Sequence, residues 1–246
     1  MHFLDEYRAT GNHAVCEALT CGWPDRPQGE FLAAAMEVGR EFARRALRNL
    51  QIIKMELDAR GYCFRNPDAV LVPARPSAER ELAAFEKQHG RLPVILNAWY
   101  SVIDSVDFRQ DYDQIEGESG GSASQVDGLG FNCGLFVMPL RESSQGILRS
   151  FRRDETEEYF LPSGPSASNG DPRGMDFPTN RFDDVYYNDG GGDVTFASQM
   201  RFEIACCGFP YWWRVSRELF QPLSSLHGTP DYDAFYAAVH PKLVSL

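Results

Sequence analysis

HGRLPVILNAWYSVIDSVDF, residues His89 to Phe108, carries the fold decision: Leu-Pro opens an apolar and aromatic run that leads straight into acidic residues. Pro93 sits where the first turn of a helix tolerates it, because the N–H it lacks would have no partner there anyway. Ile95, Leu96, Trp99, Tyr100, Val102 and Ile103 then make a wide apolar face at helical spacing, which predicts a core helix. A second helix is predicted just upstream, from near Ser77 to Gly90, with a hydroxyl N-cap, an acidic first turn, and Leu82, Phe85 and His89 toward the core.

Downstream the composition changes. Asp104, Asp107, Asp111, Asp113, Glu116 and Glu118 stand against Arg109 alone, and the chain enters GESGGSASQVDGLG, so this stretch reads as an acidic surface loop. Phe131 to Leu140 (FNCGLFVMPL) reads as a buried strand and Tyr159-Phe160-Leu161-Pro162 as a short one, with Ser163 to Arg173 as loop.

Working back toward the N-terminus, Glu30 to Arg60 has no proline and is dense in Ala, Leu, Met, Glu and Arg. Leu32, Met36, Phe42, Leu50, Ile53 and Leu57 recur at three-to-four-residue steps, predicting one long helix, or two with a break at Gly39, and Gly61 fits the residue after the helix. Tyr62-Cys63-Phe64 and Ala69 to Pro73 read as short extended segments. Near the other end a helix is predicted from Thr195 to Cys207, capped by Asp193 or Thr195 and stopped by Gly208 and Pro210. Phe209, Tyr211, Trp212 and Trp213 follow as an aromatic knot, either closing the core or facing a partner.

A net charge of −11 argues against a phosphate-backbone binder and favours a basic partner. The six cysteines are sparse and no secretory segment precedes them, so they read as reduced thiols in a cytoplasmic protein. No run approaches a membrane span, and no Cys or His spacing around Cys206-Cys207 matches a metal site; no cofactor is expected.

The catalytic motifs are weak. Gly117-Glu118-Ser119-Gly120-Gly121 matches an activated-serine pattern, but QDYDQIEGE rather than a buried strand precedes it. Asp111-x-Asp113 lacks the turn glycine of a calcium loop, and Gly190-Gly191-Gly192 is flanked by Asp189 and Asp193, which repel an anion. Glu157-Glu158 and Asp183-Asp184 are carboxylate pairs of a kind that abounds in an acidic chain.

The combination ELAAFEKQHGRLPVILNAWYSVIDSVDF resembles the core signature of the SUKH superfamily, the Smi/Knr-like proteins, through Glu86, Gly90, Leu92, Pro93, Tyr100 and Phe108. RNLQIIKMELDARGYCF upstream and TFASQMRFEIACCGFPYW downstream extend the resemblance over residues 40 to 215, with gaps. Ser105-Val106 departs from it, standing where the family has a Gly-containing turn, as do the long acidic and Ser/Gly loops. The resemblance implies an α+β fold: a central, mostly antiparallel or mixed sheet flanked by helices, without shared catalytic residues. It also implies a role as an immunity protein that neutralises a cognate toxin in a bacterial polymorphic toxin system.

The expected organisation is a helical region, 1–60, packed on a SUKH-like domain, 61–246. The expected function is a non-catalytic, intracellular protein-binding module whose basic partner, such as a nuclease toxin, meets Asp107, Asp111, Tyr112, Asp113, Glu116 and Glu118. The competing expectations are a hydrolase using Ser119 or a carboxylate pair, and a regulatory scaffold.

Overall fold

A computed structural model of the chain describes residues 3–11, 13–109, 134–145, 148–149, 159–166, 172–186, 194–210 and 232–246. Among these the fold is α+β, with α1 (Phe3–Thr10), α2 (His13–Cys21), α3 (Gly29–Ala59), α4 (Ala78–His89), α5 (Val94–Tyr100), α6 (Leu140–Gln145), α7 (Phe196–Ala205) and α8 (Tyr232–Val239). The strands are β1 (Leu71–Pro73), β2 (Ile103–Asp107), β3 (Phe136–Val137), β4 (Leu148–Arg149), β5 (Tyr159–Ser166) and β6 (Pro172–Phe177). They make two three-stranded antiparallel sheets, β1-β2-β3 and β4-β5-β6.

Helix α3 runs unbroken through Gly39, which is a contact point and not a break: a Cβ there would lie 2.8 Å from Ala98 Cβ, so the missing side chain lets α5 approach. The helix ends as expected. Gly61 has φ +70°, its N–H donates to Asp58 O, and the Tyr62 N–H donates to Leu57 O, which satisfies the last carbonyls. Val38, Phe42, Ala46, Leu50, Ile53 and Leu57 are buried in one core with Trp99, Ile95 and Phe196, so residues before and after Gly61 share their apolar interior. Tyr7 of α1 and Val15, Cys16 and Leu19 of α2 join the same core.

The decisive stretch forms α5, but the helix is shorter than its apolar face predicts. It stops at Tyr100, and Ile103 starts β2. Ser101 Oγ donates to Ala98 O, the Val102 N–H donates to Trp99 O, and the β-branched residues beyond pair with β1 in the register Leu71↔Val106 and Val72↔Ser105. Ser105-Val106 is therefore strand, and Asp104 and Asp107 belong to β2 and not to a loop. Pro93 stands one position before the first helical residue, and the Val94 and Ile95 N–H groups donate to the carbonyls of Arg181 and Phe182.

Four other expectations change. The strand expected over 131–140 is Phe136–Val137 among the described residues, and Leu140 opens α6. Ser163–Ser166 and Pro172–Arg173, expected as loop, are strand: β5 and β6 pair through backbone groups, with a register shift between Pro162 and Ser166 that accommodates the prolines. Ala69 and Val70 precede β1, and Ala69 ends a 3-10 turn. Helices α1, α2, α6 and α8 arise from stretches assigned no specific helix above. Helix α7 begins at Phe196 with Thr195 as its cap, whose Oγ1 accepts from the Ser198 N–H at 3.4 Å. No helix is long and apolar enough to cross a membrane among the described residues.

Candidate functional site

Strand β2 delivers the chain to the acid-rich stretch, and its last residues are locked. Asp107 is 6 % exposed, and its carboxylate accepts from Arg109 Nε and Nη2, both at 2.7 Å, and from the Arg109 N–H at 3.2 Å. The same guanidinium lies over the Phe136 ring of β3, 3.7 Å from its centroid, so one side chain joins carboxylate and aromatic face. Asp107 is thus paired with Arg109 within the protein.

Phe108 completes the lock. Its N–H donates to Leu135 O at 2.9 Å, and its carbonyl accepts from Tyr62 Oη at 2.9 Å. Arg65 N–H donates to Arg109 O at 2.8 Å. Gly134 passes so close that a Cβ would lie 2.3 Å from Phe108 O. The chain that leaves at Arg109 returns at Gly134 beside its own point of departure. Asp111, Tyr112, Asp113, Glu116 and Glu118 fall between these points, outside the described residues, as do Ser119, Cys133, Glu157-Glu158, Gly190-Gly191-Gly192, Asp193, Tyr211, Trp212 and Trp213.

Upstream on β2, Asp104 lines a cleft of about 240 Å³ between α4, α5 and the start of α6. Leu82, Phe85, Tyr100 and Leu140 supply apolar walls; Arg75, Glu81, Asp104 and Arg141 supply the charged ones. Arg75 Nη2 donates to Glu81 Oε2 at 2.9 Å, and Ser77 Oγ donates to Glu81 Oε1 at 2.7 Å. Arg141 is also engaged. Burial raises the Asp104 carboxyl above the usual carboxylate value, against a lowering by nearby Arg75. This cleft was missed from sequence because Asp104 was read with the residues after it. Its signal is a single acid between the β-branched Ile103 and Val106.

Glu86 and Gly90 make the α4–α5 junction. Glu86 Oε1 accepts from the Leu92 N–H at 3.1 Å and from Asn97 Nδ2 at 2.9 Å, fixing the Leu-Pro entry to α5. Gly90, at φ +104°, lies where a Cβ would be 2.6 Å from Pro178 Cβ. These residues bind parts of the chain to each other.

The carboxylate pair Asp183-Asp184 is also committed to the fold. Asp183 is buried and accepts from the N–H groups of Asp184, Phe196 and Ala197, the last two at the start of α7. Burial outweighs these donors and raises its carboxyl to about 6. Asp184 accepts from Thr179 Oγ1 at 2.6 Å and Arg181 Nη1 at 3.3 Å. Cys206 and Cys207 are buried, and burial pushes both thiols up to about 12. No group of three His, Cys, Asp or Glu side chains arranged to hold a metal occurs among the described residues.

Comparison with family models, with curated proteins and with solved structures returned no match to this chain.

Proposed function

We propose that the chain is a non-catalytic protein-binding module that engages a basic protein partner through the acid-rich stretch after β2. The observation that carries this reading is the double anchorage of that stretch: Phe108 and Leu135 are hydrogen bonded, and Asp107, Arg109 and Phe136 brace the exit. Between the anchors lie Asp111, Asp113, Glu116 and Glu118 with Tyr112. An anchored acidic segment raises the encounter rate with a basic protein and limits the ordering cost of binding. The net charge of −11 supports the same partner class.

The SUKH resemblance adds the role: an immunity protein, working in the cytoplasm, that neutralises a cognate toxin such as a basic nuclease. The test is affinity capture of the tagged full chain from its producing cell at low and high salt, with a bait carrying Asp111→Asn, Asp113→Asn, Glu116→Gln and Glu118→Gln in parallel. One basic protein should be held stoichiometrically by the native bait, released by salt and associate at least tenfold more slowly with the variant, whose melting temperature stays within 1–2 °C of native, by about the effect expected for surface charges. Its activity should fall to background when bound. Equal association of native and variant baits removes the acidic stretch from the mechanism. Fluorophosphonate labelling that disappears in Ser119→Ala would instead establish a hydrolase.

A further inference from the structure

We propose that the cleft beside Asp104 receives a lysine or arginine side chain from the basic polypeptide partner. This rests on the protein-binding reading above and assigns that partner a specific anchoring contact. At about 240 Å³ the cleft is smaller than the roughly 300–1,000 Å³ typical of pockets for free small molecules, and it suits a single side chain.

Its chemistry matches that of a long cationic side chain. Leu82, Phe85, Tyr100 and Leu140 form a wall along which a methylene stem can lie while its charged head reaches a polar rim. The charges on that rim are not equivalent. Arg75 and Glu81 neutralise each other, with Ser77 on the second oxygen of Glu81, and Arg141 is engaged. The Asp104 carboxylate makes no hydrogen bond or ion pair among the described residues, although it is half-buried with Arg75 nearby. Among the described residues the charge in the cleft left without an ion pair is therefore that of Asp104, and a cation is the group that satisfies it. A partly dehydrated carboxylate gains more from such a partner than an exposed one, because water screens the pair less.

The test uses n-butylammonium, a lysine side chain without its backbone, titrated into the full native chain, with butan-1-ol as the uncharged control. Methyl signals of Leu82 and Leu140 and the amide signal of Asp104 report occupancy by NMR. The expected result is a saturable shift of these signals in the millimolar range with butylammonium, none that saturates with butanol, and affinity at least tenfold weaker in Asp104→Asn. Equal response to butanol, equal affinity in the variant, or no shift at these residues overturns the proposal. The butanol comparison is made on the native chain and holds even where the variant folds poorly. Because the titration contains no partner protein, it fails independently of the capture experiment. Cleft binding without partner capture would count against the binding-module reading alone.

Discussion

Tyr7 is fully buried, and its hydroxyl has no hydrogen-bond partner among the described residues. An unsatisfied buried hydroxyl costs about 1–3 kcal/mol, so Tyr7→Phe is expected to raise stability by about 1 kcal/mol, measured by urea denaturation at fixed pH. A loss of stability would mean that the hydroxyl is satisfied in solution. Asp183 gives a second prediction with a defined sign. Its carboxyl rises from the usual 3.8 to about 6 on folding, so between these values the folded chain holds a proton that the unfolded chain has lost. Its contribution is therefore most favourable below that window and is lost as pH rises through it, by about 3 kcal/mol in all. Asp183→Asn should remove this slope, and the difference between native and variant denaturation free energies at pH 4, 5, 6 and 7 measures it. Neither residue's role was legible in sequence: Tyr7 lies in a stretch without a strong periodic signal, and Asp183 was one acid among many until the fold set it against the start of α7.

At the scale of the element, Gly39 shows how a sequence signal can have two structural meanings. A glycine within a helical pattern is a weak point for the isolated helix, yet here it is where α3 and α5 meet. Gly39→Ala gains about 1 kcal/mol of helix propensity but sets two methyl carbons 2.8 Å apart, and overpacking of that kind costs about 1–3 kcal/mol. We expect net destabilisation of about 1 kcal/mol, relieved by Ala98→Gly, as a double-mutant cycle in thermal unfolding would show. The end of α5 shows the converse. Ile103 continues the apolar face of a helix on a wheel, but as a β-branched residue it starts β2 opposite Pro73 of β1 and is fully buried there.

Across the whole molecule, one polar residue joins ends of the chain that sequence reading keeps apart. Asn49, buried in α3, donates from Nδ2 to Val244 O and accepts the Val244 N–H at Oδ1, both at 2.8 Å. Arg45 reaches the same terminal stretch through Ser245 O, and Ser245 Oγ donates to Gly11 O. Asn49→Ala should lower stability by about 2–3 kcal/mol, from two lost hydrogen bonds and the Val244 groups left unpaired. Hydrogen exchange should show Val244 losing protection first; unchanged protection there would place the stabilisation elsewhere.

The sequence by itself determined the course of α3 and its glycine-ended terminus, the bodies of α4 and α7, and the start of α5, because periodicity, caps and prolines act within a few residues; the α+β class was what the family resemblance implied. It also determined the net charge of −11. Only the tertiary structure decided where α5 yields to β2, that β5 and β6 form in a proline- and serine-rich stretch, that Asp107 pairs with Arg109, and that Asp104 lines a cleft. Each of these depends on which backbone, guanidinium or apolar wall lies opposite, and that neighbour is fixed by packing between residues distant along the chain.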